Sequence, residues 1–136
     1  MSRIVGIDYG RKRIGIALSD PSGKLALPLC TVDGKIDAVC QALASRKKEI
    51  SEIVVGLPLL LNGQEGDMAK EVRGFGQKLE AALQIQVTFI DERLTSKMAE
   101  QGLREFDMTR KERTKRMDSG AAALLLQTYL DRRNIS

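Results

Sequence analysis

The chain has 136 residues, of which 43% are hydrophobic and 29% are charged, and its formal net charge is +4. This length predicts one domain over residues 1–136, which buries about two thirds of the unfolded surface on folding. The absence of histidine excludes a His general base, a Ser-His-Asp triad and a His-ligated zinc site. Two cysteines are too few for a thiolate zinc cluster. Catalysis would therefore depend on carboxylates, Lys, Arg, hydroxyls or backbone amides, which favours hard, oxygen-ligated metals.

The location of the protein is predicted from features that the sequence lacks. No apolar stretch approaches the roughly 18 residues of a membrane span. The first residues do not follow the basic, apolar and small-residue order of a signal peptide. We therefore expect a reduced, cytoplasmic protein that does not contact a membrane.

The first three predicted elements are strands joined by short turns. Residues 3–9 and 13–19 flank a tight basic turn, in which Gly10 is expected to have a positive φ. Residues 25–32 form a third strand, which Pro28 predicts to be bulged or at a sheet edge. Strands connected in this way are antiparallel.

The rest of the chain alternates between helix and strand. In chain order the pattern predicts a helix over 36–49, a strand over 52–57, a helix with an apolar stripe from Met68 to Leu83, a strand over 86–92 and a helix from about Met117 to Arg132. Strands that follow helical crossovers are parallel to the preceding strand. The sequence therefore predicts an α/β fold with a mixed five-stranded sheet, three antiparallel strands and then parallel strands, flanked by helices.

Three carboxylates from distant positions are expected to meet at one edge of this sheet. Asp8 lies late in the first strand, Glu92 ends the last strand and Asp118 opens the final helix. Ligands of open α/β sheets bind at the carboxyl ends of the parallel strands. Three acids there require a counter-ion, and Mg²⁺ binds through a few carboxylates, waters and substrate phosphates. Two such ions about 3.5–4 Å apart would promote in-line hydrolysis of a phosphodiester.

Each acid also has a simpler local interpretation. Asp8 can cap the turn that follows it, and Asp118 can be the N-cap of the final helix. Glu92 can pair with the neighbouring Arg93. Taken singly, these roles are at least as good as a metal site, and only the joint placement of the three acids favours the metal.

A basic cluster predicts a polyanionic partner. Residues 109–116, TRKERTKR, contain five basic residues and one acid, so their net charge of +4 equals that of the whole chain. The alternative is a solvated loop or helix face. Aromatic residues make up only 4% of the chain, so stacking on unpaired bases is not the main contact. Structured RNA or branched DNA is therefore the expected substrate class.

Four blocks together resemble the signatures of the YqgF (RuvX) family: GIDYGRKRIGIALSD, VVGLPLLLNGQEG, DERLTS and DSGAAALLLQTYLD. Members of that family are RNase H-like proteins described as Holliday junction resolvases and as nucleases that mature the 5′ end of pre-16S ribosomal RNA. The resemblance covers nearly the whole chain and implies a cytoplasmic, metal-dependent nuclease that uses Mg²⁺ or Mn²⁺. Its catalytic and metal-binding acids correspond to Asp8, Glu92 and Asp118, with Asp91 as a fourth metal ligand.

Further motif residues are expected to contact the substrate. Arg13 and Arg93 would neutralise phosphate charge or stabilise the transition state, or else pair with the acids when no metal is bound. Thr95 and Ser96 would cap a turn or donate to a phosphate. Lys97 and the basic cluster would contact a duplex backbone without reading its sequence. The basic residues of that cluster are Arg110, Lys111, Arg113, Lys115 and Arg116.

The glycine-loop block departs from the family pattern. Similar sequences read GLPLNMDG, whereas Leu60, Leu61 and Asn62 follow GLPL in this chain. The loop therefore lacks an amide and a carboxylate, which would change its substrate preference or weaken a metal site. The residues expected to preserve the loop and its contacts are Gly56, Pro58, Asn62, Gly63 and Gly66.

Other functions and other partners stay open at the level of sequence. GIDYGRKRIGIA also resembles the first phosphate loop of the sugar kinase, Hsp70 and actin ATPases, which need two such domains and hence a longer chain. A catalytically silent nucleic-acid-binding module is a further alternative. Ribosomal RNA processing fits a monomer acting on ribosomal precursor particles, whereas a junction resolvase requires a two-fold homodimer.

Overall fold

The computed structural model describes residues 2–92 and 110–134, with side chains described for 2–92 and 120–134. The strands are β1 (Arg3–Asp8), β2 (Arg13–Ser19), β3 (Ala26–Asp33), β4 (Ile50–Leu57) and β5 (Gln86–Asp91). The helices are α1 (Ile36–Leu43), a 3₁₀ helix (Ala44–Glu49), α2 (Asp67–Leu83) and α3 (Arg110–Arg133).

The five strands form one mixed sheet in the order β3-β2-β1-β4-β5. The β1–β2 and β2–β3 pairs are antiparallel, and the β1–β4 and β4–β5 pairs are parallel. The predicted fold class is therefore confirmed, with β1 at the centre. The edge position of β3 and a register shift opposite Pro28 are both consistent with its missing N–H donor.

Each face of the sheet has its own apolar core. One face packs against α1 and α2, where Val5 and Ile7 of β1 meet Val39, Val72 and other buried residues. The opposite face packs against α3 through a smaller cluster of buried side chains, namely Ile4, Ala17, Val54, Ala122, Leu126 and Leu130. The alternation of side chains along each strand thus decides which helix layer a residue contacts.

Helix α3 lies very close to the central strand. A Cβ atom added at Gly6 would be 2.7 Å from Leu126 Cβ and 2.9 Å from the carbonyl oxygen of Ala122. Near the other end of α3, the Tyr129 hydroxyl donates to Glu52 Oε2 at 2.7 Å, close to the start of β4. Helix α3 therefore runs antiparallel to β1 and β4, and its amino-terminal half lies towards the carboxyl edge of the sheet.

The start of α3 differs from the sequence expectation. The helix begins at Arg110 rather than near Met117, so the basic residues of the cluster lie within the helix and Asp118 is not an N-cap. The physical reason is that Arg, Lys and Glu favour helix, and no Gly or Pro interrupts residues 110–117. Among the described residues, no helix is both long and apolar enough to cross a membrane.

The prediction that Gly10 has a positive φ is also wrong. In the described residues the glycines with a positive φ are Gly23 and Gly63. Gly10 is required for a different reason: an added Cβ would collide with the carbonyl oxygen of Arg13. The turn after β1 therefore depends on close backbone approach rather than on a left-handed conformation.

We predict that Gly6→Ala destabilises the protein by about 1–3 kcal/mol, because its methyl group must push α3 away from the sheet. The matched control is Gly74→Ala within α2, where an added Cβ has no described atom within 4 Å. That control should instead stabilise the protein by about 0.5–1 kcal/mol through helix propensity. Chemical denaturation measures both, and an unchanged stability in Gly6→Ala would contradict the close approach.

Candidate active site

Asp8 ends the central strand, on the face of the sheet that α3 covers. Its Cα pairs with that of Gly15 in β2. Gly6, two residues earlier, faces Ala122 and Leu126 of α3. Because side chains alternate along a strand, Asp8 shares this face with Gly6.

Glu92 follows β5 and lies on the same face. Its backbone N–H donates to the carbonyl oxygen of Leu57 at 3.1 Å, which continues the ladder between β4 and β5. A Cβ added at Gly56 would be 3.4 Å from both Cγ and Cδ of Glu92, and 3.2 Å from Leu125 Cδ1 of α3. The carboxylate-bearing side chain of Glu92 therefore lies over β4, beside α3.

Gly56 lies in the strand between these two acids, and the side chains of Glu92 and Leu125 pack directly over it. Gly56 lies inside β4, within the strand predicted over 52–57, and the loop of the glycine-loop block begins after it. Strand β4 separates β1 from β5, and neighbouring strands lie about 4.8 Å apart. The backbones that carry Asp8 and Glu92 are therefore about 10 Å apart. Because Gly56 has no side chain, Glu92 can lie against β4 at this level on the α3 face.

Asp91 has a different environment from Glu92. Its Cα pairs with that of Leu57, and directly paired residues of parallel strands point to the same face. Leu57 is buried in the core cluster that faces α1 and α2. The register thus assigns Asp91 to the face opposite Asp8 and Glu92.

Position 118 lies inside α3, one turn before Ala122. The carbonyl oxygen of Ala122 faces Gly6, and α3 runs antiparallel to β1. One turn towards the start of the helix advances about 5.4 Å along its axis, close to the two-residue step from Gly6 to Asp8. The backbone at position 118 is therefore at the level of Asp8, and the side chain of Asp118 lies outside the described residues.

Several predicted substrate contacts lie outside the part of the chain that the structure describes. These are Arg93, Thr95, Ser96 and Lys97, together with the side chains of Arg110, Lys111, Arg113, Lys115 and Arg116. Arg13 is described: it opens β2 and is exposed. Its Cα pairs with that of Asp33 at the carboxyl edge.

No group of three or more His, Cys, Asp or Glu side chains suited to a metal ion occurs among the residues whose side chains are described. The side chain of Asp118 is not among them. A metal site formed by Asp8, Glu92 and Asp118 therefore stays a prediction. Asp8 and Glu92 nevertheless fit a hard divalent cation, because both supply carboxylate oxygens on one face of the sheet.

The turn after Asp8 is fixed by a contact that sequence reasoning missed. The Tyr9 hydroxyl donates to Glu71 Oε2 at 2.8 Å, and Arg11 Nε donates to Glu71 Oε1 at 3.1 Å. The Tyr9 ring also packs against Phe75, with ring centroids 4.7 Å apart. Helix α2 therefore holds the backbone immediately after Asp8 in place.

This network changes the acidity of its members. Hydrogen bonds from Arg11 and then Tyr9 lower the pKa of Glu71, because they stabilise its ionised form. Burial and then the hydrogen bond to Glu71 raise the pKa of Tyr9. At neutral pH the network therefore contains an ionised carboxylate and a neutral phenol.

The loop that follows Pro58 keeps a compact turn. Asn62 Oδ1 accepts the backbone N–H of Gln64 at 2.9 Å, and Gly63 has a φ of +85°. Glu65 is bound by Arg73 of α2 through two hydrogen bonds, of 2.6 and 2.9 Å. Asn62 thus supports the turn itself, and Gly63 supplies the conformation that a side chain disfavours.

The loop also presents apolar side chains. Leu61 is fully exposed and Leu60 is half exposed. Leu60 packs over Gly66, where an added Cβ would be 3.1 Å from Leu60 Cδ2. Gly66 therefore allows the loop to fold back onto the start of α2.

The mixed sheet with helices on both faces is an RNase H-like fold. A solved structure, "T. thermophilus RuvC in complex with Holliday junction substrate", is similar to this chain with a TM-score of 0.56 and 13% identity. The similarity covers 98% of this chain and 97% of that one. At this identity the likeness shows the fold alone.

Sequence comparison identifies the family. The RuvX family, described as Holliday junction resolvase, matches residues 2–132. A protein of Endomicrobium trichonymphae is 47% identical, over 96% of each chain. A protein of Protochlamydia amoebophila is 43% identical, over 97% of this chain and 95% of the relative. Both are named "Putative pre-16S rRNA nuclease". The chain therefore belongs to the RuvX family of nucleases.

We predict that Glu71→Gln destabilises the protein at neutral pH and that the difference from wild type disappears in acid. A carboxylate whose pKa is lowered on folding stabilises the protein above its unfolded pKa of about 4.3. That contribution is lost as the pH falls through the lowered pKa of the folded state. Urea denaturation from pH 7 to pH 3 measures the effect, and a constant difference would contradict it.

Proposed function

We propose that the chain acts as one nuclease domain that hydrolyses phosphodiester bonds of structured nucleic acid with the help of divalent metal. The main support is the placement of Asp8 and Glu92 on one face of the sheet, on either side of β4, with the Glu92 side chain packed over Gly56. Membership of a nuclease family gives independent support.

Asp8, Glu92 and Asp118 would hold the metal, which is Mg²⁺ or Mn²⁺, with two ions when substrate is bound. When bound, the metal would supply an activated water and charge stabilisation for the leaving oxygen. Glu92 lies over β4, Asp8 ends the neighbouring strand β1 on the same face, and α3 would bring Asp118 to the same level. Asp91 would remain outside this set, because its register assigns it to the other face.

Basic residues would hold the nucleic acid against these acids. Arg13 at the start of β2 and Arg93 beside Glu92 would neutralise the phosphate next to the scissile bond. Thr95 and Ser96 would donate hydrogen bonds to phosphate, and Lys97 would contact the backbone. The basic cluster would bind further along the duplex from the amino-terminal part of α3.

Processing of the 5′ end of pre-16S ribosomal RNA is the specific role that we favour. The two relatives described above, 43% and 47% identical over nearly the whole chain, are both named as pre-16S rRNA nucleases. The protein would then act in the cytoplasm on ribosomal precursor particles, as a monomer or a homodimer. The second candidate is resolution of Holliday junctions, which the description of the family favours. That role requires a two-fold dimer.

We predict that Asp8→Asn and Glu92→Gln each lower metal-dependent cleavage by at least about 100-fold, because an amide cannot replace the charge of a metal-binding carboxylate. Asp91→Asn is the matched control: it removes an adjacent charge on the opposite face and should keep activity within about threefold of wild type. Single-turnover cleavage of a labelled pre-16S 5′-leader RNA, with Mg²⁺ or Mn²⁺, measures all three.

The same assay with a four-way DNA junction distinguishes the two roles. Cleavage of the leader RNA but not of the junction would support ribosomal RNA processing, and the reverse would support resolution. Binding of both without cleavage would contradict the nuclease proposal and favour a silent nucleic-acid-binding module. Equal loss of activity in Asp91→Asn and Glu92→Gln would contradict the assignment by strand register.

A further inference from the structure

The basic turn, residues 10–13, lies directly after Asp8 and is held rigidly from two sides. The N–H of Gly34 donates to the carbonyl oxygen of Lys12 at 3.0 Å. A Cβ added at Gly34 would collide with the carbonyl oxygen of Arg11. On the other side, Glu71 of α2 binds Arg11 and Tyr9. The turn is therefore a preformed feature of the carboxyl edge rather than a loosely attached loop.

The turn also borders an open pocket of about 560 Å³. In the described part of the chain its lining consists of Gly10, Arg11, Lys12, Arg13 and Met68, which include three cations and no carboxylate. Arg11 is bound to Glu71, so its charge is largely balanced. Lys12 is exposed between the two arginines. The pocket thus offers a positive surface whose fixed backbone limits the loss of conformational entropy on binding.

The position of the turn relative to the acids indicates what it would bind. Asp8 faces α3, whereas Tyr9 packs against Phe75 of α2 and Arg11 binds Glu71 of the same helix, so the basic turn lies towards the α2 side of the edge. The basic cluster of α3 starts on one side of this edge and the basic turn lies on the other. A polyanion that crosses the carboxyl edge above Asp8 would therefore meet cations on both sides.

We propose that the basic turn is a second backbone-binding surface, on which Lys12 contacts a phosphate of a duplex some nucleotides away from the bond at Asp8. The inference rests on the proposed function and adds to it the path of the substrate across the sheet edge. Its ligand chemistry is the phosphodiester backbone, which RNA and DNA duplexes share. Contact to phosphate alone carries no sequence preference.

The test measures binding separately from cleavage. The affinities of a labelled RNA duplex and of a DNA duplex of the same sequence are measured by fluorescence anisotropy, in EDTA, over a series of salt concentrations. Lys12→Gln should weaken binding by about 3- to 10-fold and reduce the slope of log K against log salt by about 1. Lys12→Arg should preserve both values, because it keeps the positive charge.

Lys24→Gln is the matched control, since it removes the same charge from an exposed residue in the turn between β2 and β3, at the opposite edge of the sheet. It should bind within about twofold of wild type. Thermal melts of both variants should match wild type, because neither side chain is buried. Comparing the two duplexes shows whether the surface prefers RNA or DNA geometry.

Three results would contradict the proposal that the basic turn binds a duplex. These are a wild-type affinity and salt slope in Lys12→Gln, an equal loss of duplex affinity in Lys24→Gln, or no duplex binding by the wild-type protein. If Lys12→Gln binds the duplex more weakly than wild type but wild type cuts no substrate with Mg²⁺ or Mn²⁺, the binding surface is supported and the proposed nuclease activity is contradicted. A wild-type protein that cuts while Lys12→Gln binds normally contradicts the surface alone.

Discussion

The close contact between α3 and the central strand at Gly6 is the constraint on which the candidate site depends. The backbone of α3 approaches β1 so closely that a methyl group at position 6 would be 2.9 Å from a helix carbonyl oxygen. This approach sets the height of the helix above the sheet. It therefore sets the distance at which any α3 side chain meets Asp8. A helix displaced by the usual layer of side chains would hold the proposed ligand Asp118 further from Asp8.

Gly56 extends the same arrangement to the neighbouring strand. Its missing side chain lets Glu92 and Leu125 pack close to β4, within 3.2–3.4 Å of the position that a Cβ atom would take. Glycine in the interior of a strand weakens the sheet and often marks a site of close approach. In this protein Gly6 allows close helix packing, and Gly56 allows the Glu92 side chain to lie over β4. Glycine at these positions lowers the stability of β1 and β4, which is consistent with a functional role for this edge of the sheet.

Much of the fold follows from local patterns in the sequence. Short turns and apolar runs predict the antiparallel strands, helical crossovers predict the parallel ones, and Pro28 predicts the irregular edge. The start of α3 is not predicted, because Asp118 has the chemistry of an N-cap although strong helix formers precede it. The contact of Tyr9 with Glu71 is also not predictable, since 62 residues separate the two partners. Such a pair becomes visible only when the packing of α2 on the sheet is known.

The site residues, like the elements of the fold, can be predicted in part from local sequence, and the rest depends on how distant segments pair. Asp8 and Glu92 were identified as candidate ligands from their positions at strand ends, and the structure confirms that both lie at the carboxyl edge. The difference between Asp91 and Glu92 depends on strand register, because a shift of one residue exchanges the two faces. The pairing of Asp91 with Leu57 supplies that register.

The most direct test of a metal ion shared by Asp8 and Glu92 is a thermal melt in the presence and absence of millimolar Mg²⁺ or Mn²⁺. A ligand that binds only the folded state raises the Tm with its concentration. We predict a metal-dependent rise in the Tm of wild type and of Asp91→Asn, and no rise in Asp8→Asn or Glu92→Gln. An equal rise in all four proteins, or no rise in wild type, would contradict a metal shared by Asp8 and Glu92.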